Sequence, residues 1–153
     1  MGTSKEEAIK EIAQIEQRTK ELRRIIEESD RPKPITERVK SYEDACAILC
    51  LTPHQVGIMG ISDCKLNKSL AAYIKLSIIN KALNEGWEAD WKNGNEYKHY
   101  PYFVYSGSGF RFNLTYYHFT GAYVGSRLYF KTRELAEYAG KQFTELYKEA
   151  IGA

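Results

Sequence analysis

The run YPYFVYSGSGFRFNLTYYHFTGAYVGSRLYFKTRELAEYAGKQFTELYKEA, residues 100–150, decides the fold. Residues 100–105, 110–117 and 122–130 are aromatic and β-branched, and Ser-Gly-Ser-Gly and Thr-Gly separate them, which is the punctuation of hairpins. In the second segment Phe110, Phe112, Leu114 and Tyr116 alternate with Arg111, Asn113, Thr115 and Tyr117, so period two places the two sets on opposite faces. In the third, Tyr123, Gly125, Arg127 and Tyr129 alternate with Ala122, Val124, Ser126, Leu128 and Phe130. A helix from Thr132 brings Leu135, Ala139, Phe143, Leu146 and Ala150 onto one side. The expectation is an α+β fold: a three-stranded antiparallel meander with a carboxy-terminal helix packed on one face, preceded by helices.

Working outward, Ser4 followed by Glu7 is a capping box and starts a helix that runs to about Glu28. Ala8, Ile12, Ile15, Thr19, Leu22 and Ile26 step by four and three, the seam of a coiled coil. Glu6 with Lys10, Glu16 with Lys20 and Arg24 with Glu28 sit at pairing distance on its flanks. The helix either folds back on its own domain or self-associates, and under three heptads is marginal alone. Pro32 and Pro34 end it. The domain boundaries expected are an amphipathic helix over 1–30, a proline-containing spacer over 31–40 and an α+β domain over 41–153.

Ser41 with Asp44 caps a short second helix carrying Ala45, Ile48 and Leu49. Residues 57–68 have no sustained period and read as a loop. A helix from about Ser69 has a broad apolar stripe, with Asn84-Glu85-Gly86 as its stop and Gly86 as the left-handed cap. Residues 87–103 hold both tryptophans and alternate in charge.

Composition bounds the function. The 153 residues are 43% apolar and 27% charged, ordinary for a globular chain, and about 150 residues suffice for a core. Twelve tyrosines, six phenylalanines and two tryptophans exceed what a small core needs, and surplus tyrosine marks binding surfaces. Net charge is only +2, so no global field draws the chain to nucleic acid or membrane. No apolar run approaches the roughly 18 residues of a membrane span, and the start lacks a signal-peptide apolar region. Three irregularly spaced cysteines point to reduced thiols in the cytoplasm.

SYEDACAIL (41–49), YIKLSIINKALNEGWEADW (73–91), YKHYPYF (97–103) and VGSRLYFKTRELAEYAGKQFTELYKE (124–149) together resemble a family of small proteins encoded by phages and prophages of gut anaerobes. The resemblance covers roughly residues 36–150 and implies a phage setting, hence the cytoplasm of a phage's host cell. It brings no catalytic residue and no assigned function.

Constellations with chemical meaning are few. Cys46, Cys50, His54 and Cys64 make the one metal-like set, but Thr52-Pro53 interrupts the helix before His54, and buried thiols are the plainer reading. His54, His99 and His118 lack a Ser, Cys or acidic partner at motif spacing. Glu88, Asp90 and Glu96 cluster in a solvated loop. The glycines of 106–109 and 125–127 offer amides to an anion without matching a phosphate loop, and the first suits a plain turn. No catalytic residue, metal or cofactor is assigned, and an enzyme is not favoured.

The sharpest feature is the outward sheet face, where Arg111, Asn113, Tyr117, Tyr123, Arg127 and Tyr129 gather if the strands pair as a meander. Such a set stacks on a planar base and neutralises a phosphate. The plainer alternatives are cross-strand aromatic pairing and a face covered by helices or another subunit. Three readings follow: a non-enzymatic phage-type accessory protein, acting in counter-defence, that sequesters a nucleotide-type ligand; an assembly or host-protein-binding module, homo-oligomeric through its amino-terminal helix; and a single-stranded nucleic-acid binder, which near-neutral charge disfavours.

Overall fold

The computed structural model describes residues 4–52, 65–121 and 128–153, with backbone alone for residues 65–67. The chain divides into two compact units, Met1–Lys33 and Pro34–Ala153.

The first unit is one helix, α1 (Lys5–Ser29), and the capping box forms as the sequence predicts: the Glu7 amide donates to Ser4 Oγ at 3.3 Å and the Ser4 amide to Glu7 Oε2 at 2.9 Å. No residue of α1 is buried. Arg24 and Glu28 pair at 3.7 Å, and Arg18 bonds Glu21 at 3.4 Å.

The second unit runs α2 (Ile35–Arg38), α3 (Tyr42–Ile48), α4 (Lys65–Leu83), β1 (Lys98–Ser106), β2 (Gly109–His118), α5 (Arg133–Gln142) and α6 (Thr144–Ile151). Ser41 and Asp44 complete a second capping box on α3, and the Thr132 hydroxyl accepts from the Leu135 amide to start α5. One helical turn, α2, lies within the expected spacer. The α4 helix begins at Lys65, four residues before the apolar stripe, and ends through positive φ at both Glu85 (49°) and Gly86 (86°). Residues 57–64 of the expected loop lie outside the described residues.

The single closing helix predicted from Thr132 is in fact two. Phe143, at φ −114° and ψ 28°, separates them. The Thr144 hydroxyl donates to the carbonyls of Gly140 (2.7 Å) and Lys141 (3.2 Å), so a side chain closes the last turn of α5 in place of the next backbone amides. Phe143 is thereby free to turn its ring into the core, where it is buried.

The three-stranded meander is corrected to a two-stranded antiparallel hairpin among the described residues. Residues 122–127 lie outside them. The segment's end, Phe130, does not extend the sheet beyond β2. It makes one antiparallel bridge to His99 on the other edge of β1, with both backbone bonds formed at 3.0 and 2.7 Å. Because His99 aims its amide and carbonyl at that edge, the next residue to do so is Pro101. Proline has no amide to donate, so the ladder stops after one bridge.

A second correction concerns alternation. Tyr102 pairs with Leu114 but Phe103 pairs with Phe112, leaving Asn113 as the extra residue of a β-bulge. An extra residue reverses the in–out order beyond it. Phe112 therefore shares a face with Pro101, Phe103, Thr115 and Tyr117, whereas Arg111, Leu114 and Tyr116 share the opposite face with Tyr100 and Tyr102.

Helices α5 and α6 cover the first of these faces. Gly140 sits so close that a Cβ added there would lie 2.8 Å from the Pro101 Cβ and closer still to the Phe112 ring, so the approach of α5 to the hairpin requires glycine. Phe103 stacks on Phe110 at 4.9 Å and meets Tyr147 of α6 at 4.7 Å. Around these, Val39, Ala45, Leu76, Ile79, Leu83, Phe130, Leu135 and Ala139 form the core. Tyr138 Oη donates to the Val39 carbonyl at 2.7 Å and Gln142 to the Lys40 carbonyl at 3.0 Å, tying the α2–α3 junction to α5.

Candidate functional site

The hairpin carries more aromatic surface than the helices cover. On one face, Tyr102 and Tyr116 meet edge to face at 5.1 Å beside Leu114, and Tyr116 is 47% exposed. Arg111 and the bulged Asn113 lie exposed beside them. On the other face Tyr97, His99, Tyr117 and Phe119 form a four-ring cluster with centroids 4.9–6.1 Å apart, and Tyr117 is 50% exposed. Burial holds the His99 imidazole below its usual pKa; Glu134 opposes this and Arg133 adds to it. The neutral ring then packs as one more aromatic. Tyr105, at the tip, is 70% exposed.

This geometry distributes the residues expected to form one ligand face. The bulge puts Arg111 and Tyr117 on opposite faces of the sheet, with Asn113 at the bulge between. Tyr129 is buried at 6% exposure, its ring against Trp91 at 5.4 Å and Tyr100 at 5.3 Å. Tyr123 and Arg127 lie outside the described residues. Four of the six are therefore placed, and they do not converge.

What brings polar and aromatic groups together is a groove of about 510 Å³ between the carboxy-terminal half of α4 and the loop after it, lined by Lys81, Trp87, Glu88, Trp91 and Tyr129 among others. Asn80 and Asn84 close its inner side, each donating from Nδ2 to the Tyr129 carbonyl at 2.8 Å. Asn84 Oδ1 also accepts from the Lys131 amide at 3.0 Å. The loop wall is held from behind by Lys98, which has no exposed side-chain surface: its ammonium meets Glu96 Oε1 at 3.0 Å and the Glu96 carbonyl at 3.1 Å, under the Trp91 ring at 5.5 Å. Although burial alone raises the Glu96 carboxyl, Lys98, the Asp90 amide and Trp87 together hold it below its usual range. Both tryptophans stand in residues 87–103, a segment of alternating charge whose carboxylates Glu88, Asp90 and Glu96 read as a solvated loop. The buried lysine, invisible locally, backs that loop from within.

The remaining candidates resolve simply. Asp90 and Glu96 staple the loop, since the Lys92 amide donates to Asp90 Oδ1 and the Asp90 amide to Glu96 Oε1, both at 2.9 Å. Ser106–Gly109 is the hairpin turn, with Gly109 at φ 94°. His118 Nε2 bonds Tyr100 Oη at 2.9 Å. Cys46 is a buried free thiol and Cys50 an exposed one, while His54 and Cys64, and the anion nest at 125–127, lie outside the described residues. A second, apolar cavity of about 360 Å³ lies between α4, β1 and α6, lined by Tyr73, Leu76, Phe103, Leu128 and Tyr147.

No family model, curated protein or solved structure matches the chain. Among the described residues no helix is long and apolar enough to cross a membrane.

Proposed function

We propose that this chain is a non-enzymatic protein-binding module whose β1–β2 hairpin is the interface. The observation that carries the reading is the exposed aromatic surface on both faces of a two-stranded hairpin: rings pre-packed against one another lose little conformational freedom on docking, and Tyr with Arg is the composition of interface centres. In the phage setting implied by the resemblance, the partner is a host protein and the outcome counter-defence. Leu114→Asp places a charge beside the Tyr102–Tyr116 pair, outside the buried core. It is expected to weaken the complex at least about 100-fold while leaving the unfolding transition where it is; unchanged binding removes the hairpin from the interface.

The groove favours a second reading, the capture of a planar ligand of nucleotide type. Its two half-buried tryptophans, Trp87 and Trp91, offer ring faces or edges to a base, and Lys81 offers a cation to a phosphate. Mass spectrometry of material released on heat-denaturing the protein after incubation with cell extract is expected to find a stoichiometric nucleotide under this reading. Trp87→Ala then abolishes the release. An empty protein leaves the groove structural.

A further inference from the structure

We propose that the cavity of about 360 Å³ between α4, β1 and α6 is a binding site for a neutral, largely apolar small molecule that carries a carbonyl group. The proposal rests on neither the hairpin surface nor the tryptophan groove, so its failure leaves both readings untouched. The cavity lies where a strand pairing stops. Phe130 bridges His99 in antiparallel fashion, and continued pairing would set Leu128 opposite Pro101. Proline has no amide for that bond. Leu128 and Pro101 instead both line an open space whose other walls include Tyr73 and Leu76 of α4 and Tyr147 and Ala150 of α6. Its volume falls in the range of small-molecule sites, about 300–1,000 Å³.

Two hydrogen-bond donors at this cavity are unused. Tyr147 is only 6% exposed, yet among the described residues its hydroxyl has no hydrogen-bond partner, and burial alone pushes its pKa up. Tyr100 Oη, by contrast, is satisfied by His118 Nε2 at 2.9 Å. The second donor is backbone. Alternate residues of a strand present their polar groups to one edge, so Phe103 follows His99 and Pro101 on the edge of β1 that borders the cavity. Among the described residues no backbone bond outside the hairpin's own ladder reaches Phe103. A buried donor left unsatisfied is costly, and a carbonyl oxygen satisfies it. The side chains that line the cavity are aliphatic or aromatic, so an ionised head group would enter without a counter-charge. The occupant is therefore neutral, with an apolar body for the walls and an acceptor oxygen for the donors.

The test titrates the full chain with 2-octanone and follows the amide signals by NMR, with octanoate as the charged counterpart. The ketone is expected to shift the Phe103 and Ala150 amides saturably, and octanoate at pH 7 to bind at least about tenfold more weakly. Tyr147→Phe keeps the ring and deletes only a hydroxyl that bonds nothing in the fold, so the chain stays folded while its affinity for the ketone falls about tenfold. Ala150→Phe, which fills the cavity from α6, removes binding altogether. The proposal is overturned by no saturable shift in the parent chain, by shifts confined to residues away from this cavity, or by equal affinity for octanoate. Binding undiminished in Tyr147→Phe or in Ala150→Phe overturns it as well.

Discussion

Lys98→Ala is expected to lower the free energy of unfolding by about 3–5 kcal/mol. The ammonium is wholly buried, and its bonds go to the Glu96 carboxylate and carbonyl and, at 3.4 Å, to the Asn93 carbonyl. Alanine leaves all three acceptors facing a void, and the carboxylate, 24% exposed, has only partial access to water. Lys98→Met refills the volume but not the bonds, so it recovers part of the loss, and Lys98→Met with Glu96→Gln recovers more because no unpaired charge remains. The pH dependence follows from the lowered Glu96 carboxyl. Its folded pKa lies below that of the unfolded chain, so the unfolded state binds more protons between the two. The pair's stabilisation is present above about pH 4.3, the ordinary glutamate value, and is lost as pH falls through the folded value. Urea denaturation of the parent from pH 7 to pH 3 should show that loss, and Lys98→Ala should show it blunted. A cost under about 1 kcal/mol, the scale of an exposed pair, would mean that Lys98 is solvated.

Asn84→Ala ranks second, at roughly 3 kcal/mol. The side chain is 2% exposed and satisfies three partners: the Tyr129 carbonyl, Asn80 Oδ1 at 3.2 Å and the Lys131 amide. Those bonds anchor the segment entering α5 to the end of α4. Asn84→Asp should cost as much or more, since it turns an oxygen toward the Tyr129 carbonyl where an amide had donated. Thermal unfolding measures both. Equal stability of the parent and Asn84→Ala would show that the Asn80–Asn84 clamp contributes nothing.

Local signals were legible and non-local ones were not. The caps at Ser4, Ser41 and Thr132 were readable because a hydroxyl and an amide three residues on are neighbours in any helix. The course of α1 and the turn at 106–109 were readable for the same reason. The bulge at Asn113 was not, because an unbroken alternation from Phe110 to Tyr117 gives no sign that the opposite strand is one residue short. The pairing of Phe130 with His99 depends on which edge of β1 is open, a choice no stretch of sequence contains, although Pro101 does explain why it stops. The abundance of tyrosine was read as a sign of exposed rings, several of which the hairpin does expose, but the bulge decided which rings share a face. Asn84 looked like a helix stop, and nothing in the sequence singled out Lys98. Their roles come from Tyr129 and Trp91, which are brought to them by tertiary packing.

The central claim, that the hairpin is a protein interface, is tested most directly by site-specific photo-cross-linking in the cell that makes the protein, with benzoylphenylalanine in place of Tyr116. The account predicts one discrete protein adduct from that position, its loss when Leu114→Asp is added, and none when the same group replaces the exposed Glu149 of α6. No adduct from Tyr116, or the same adducts from both positions, would contradict it.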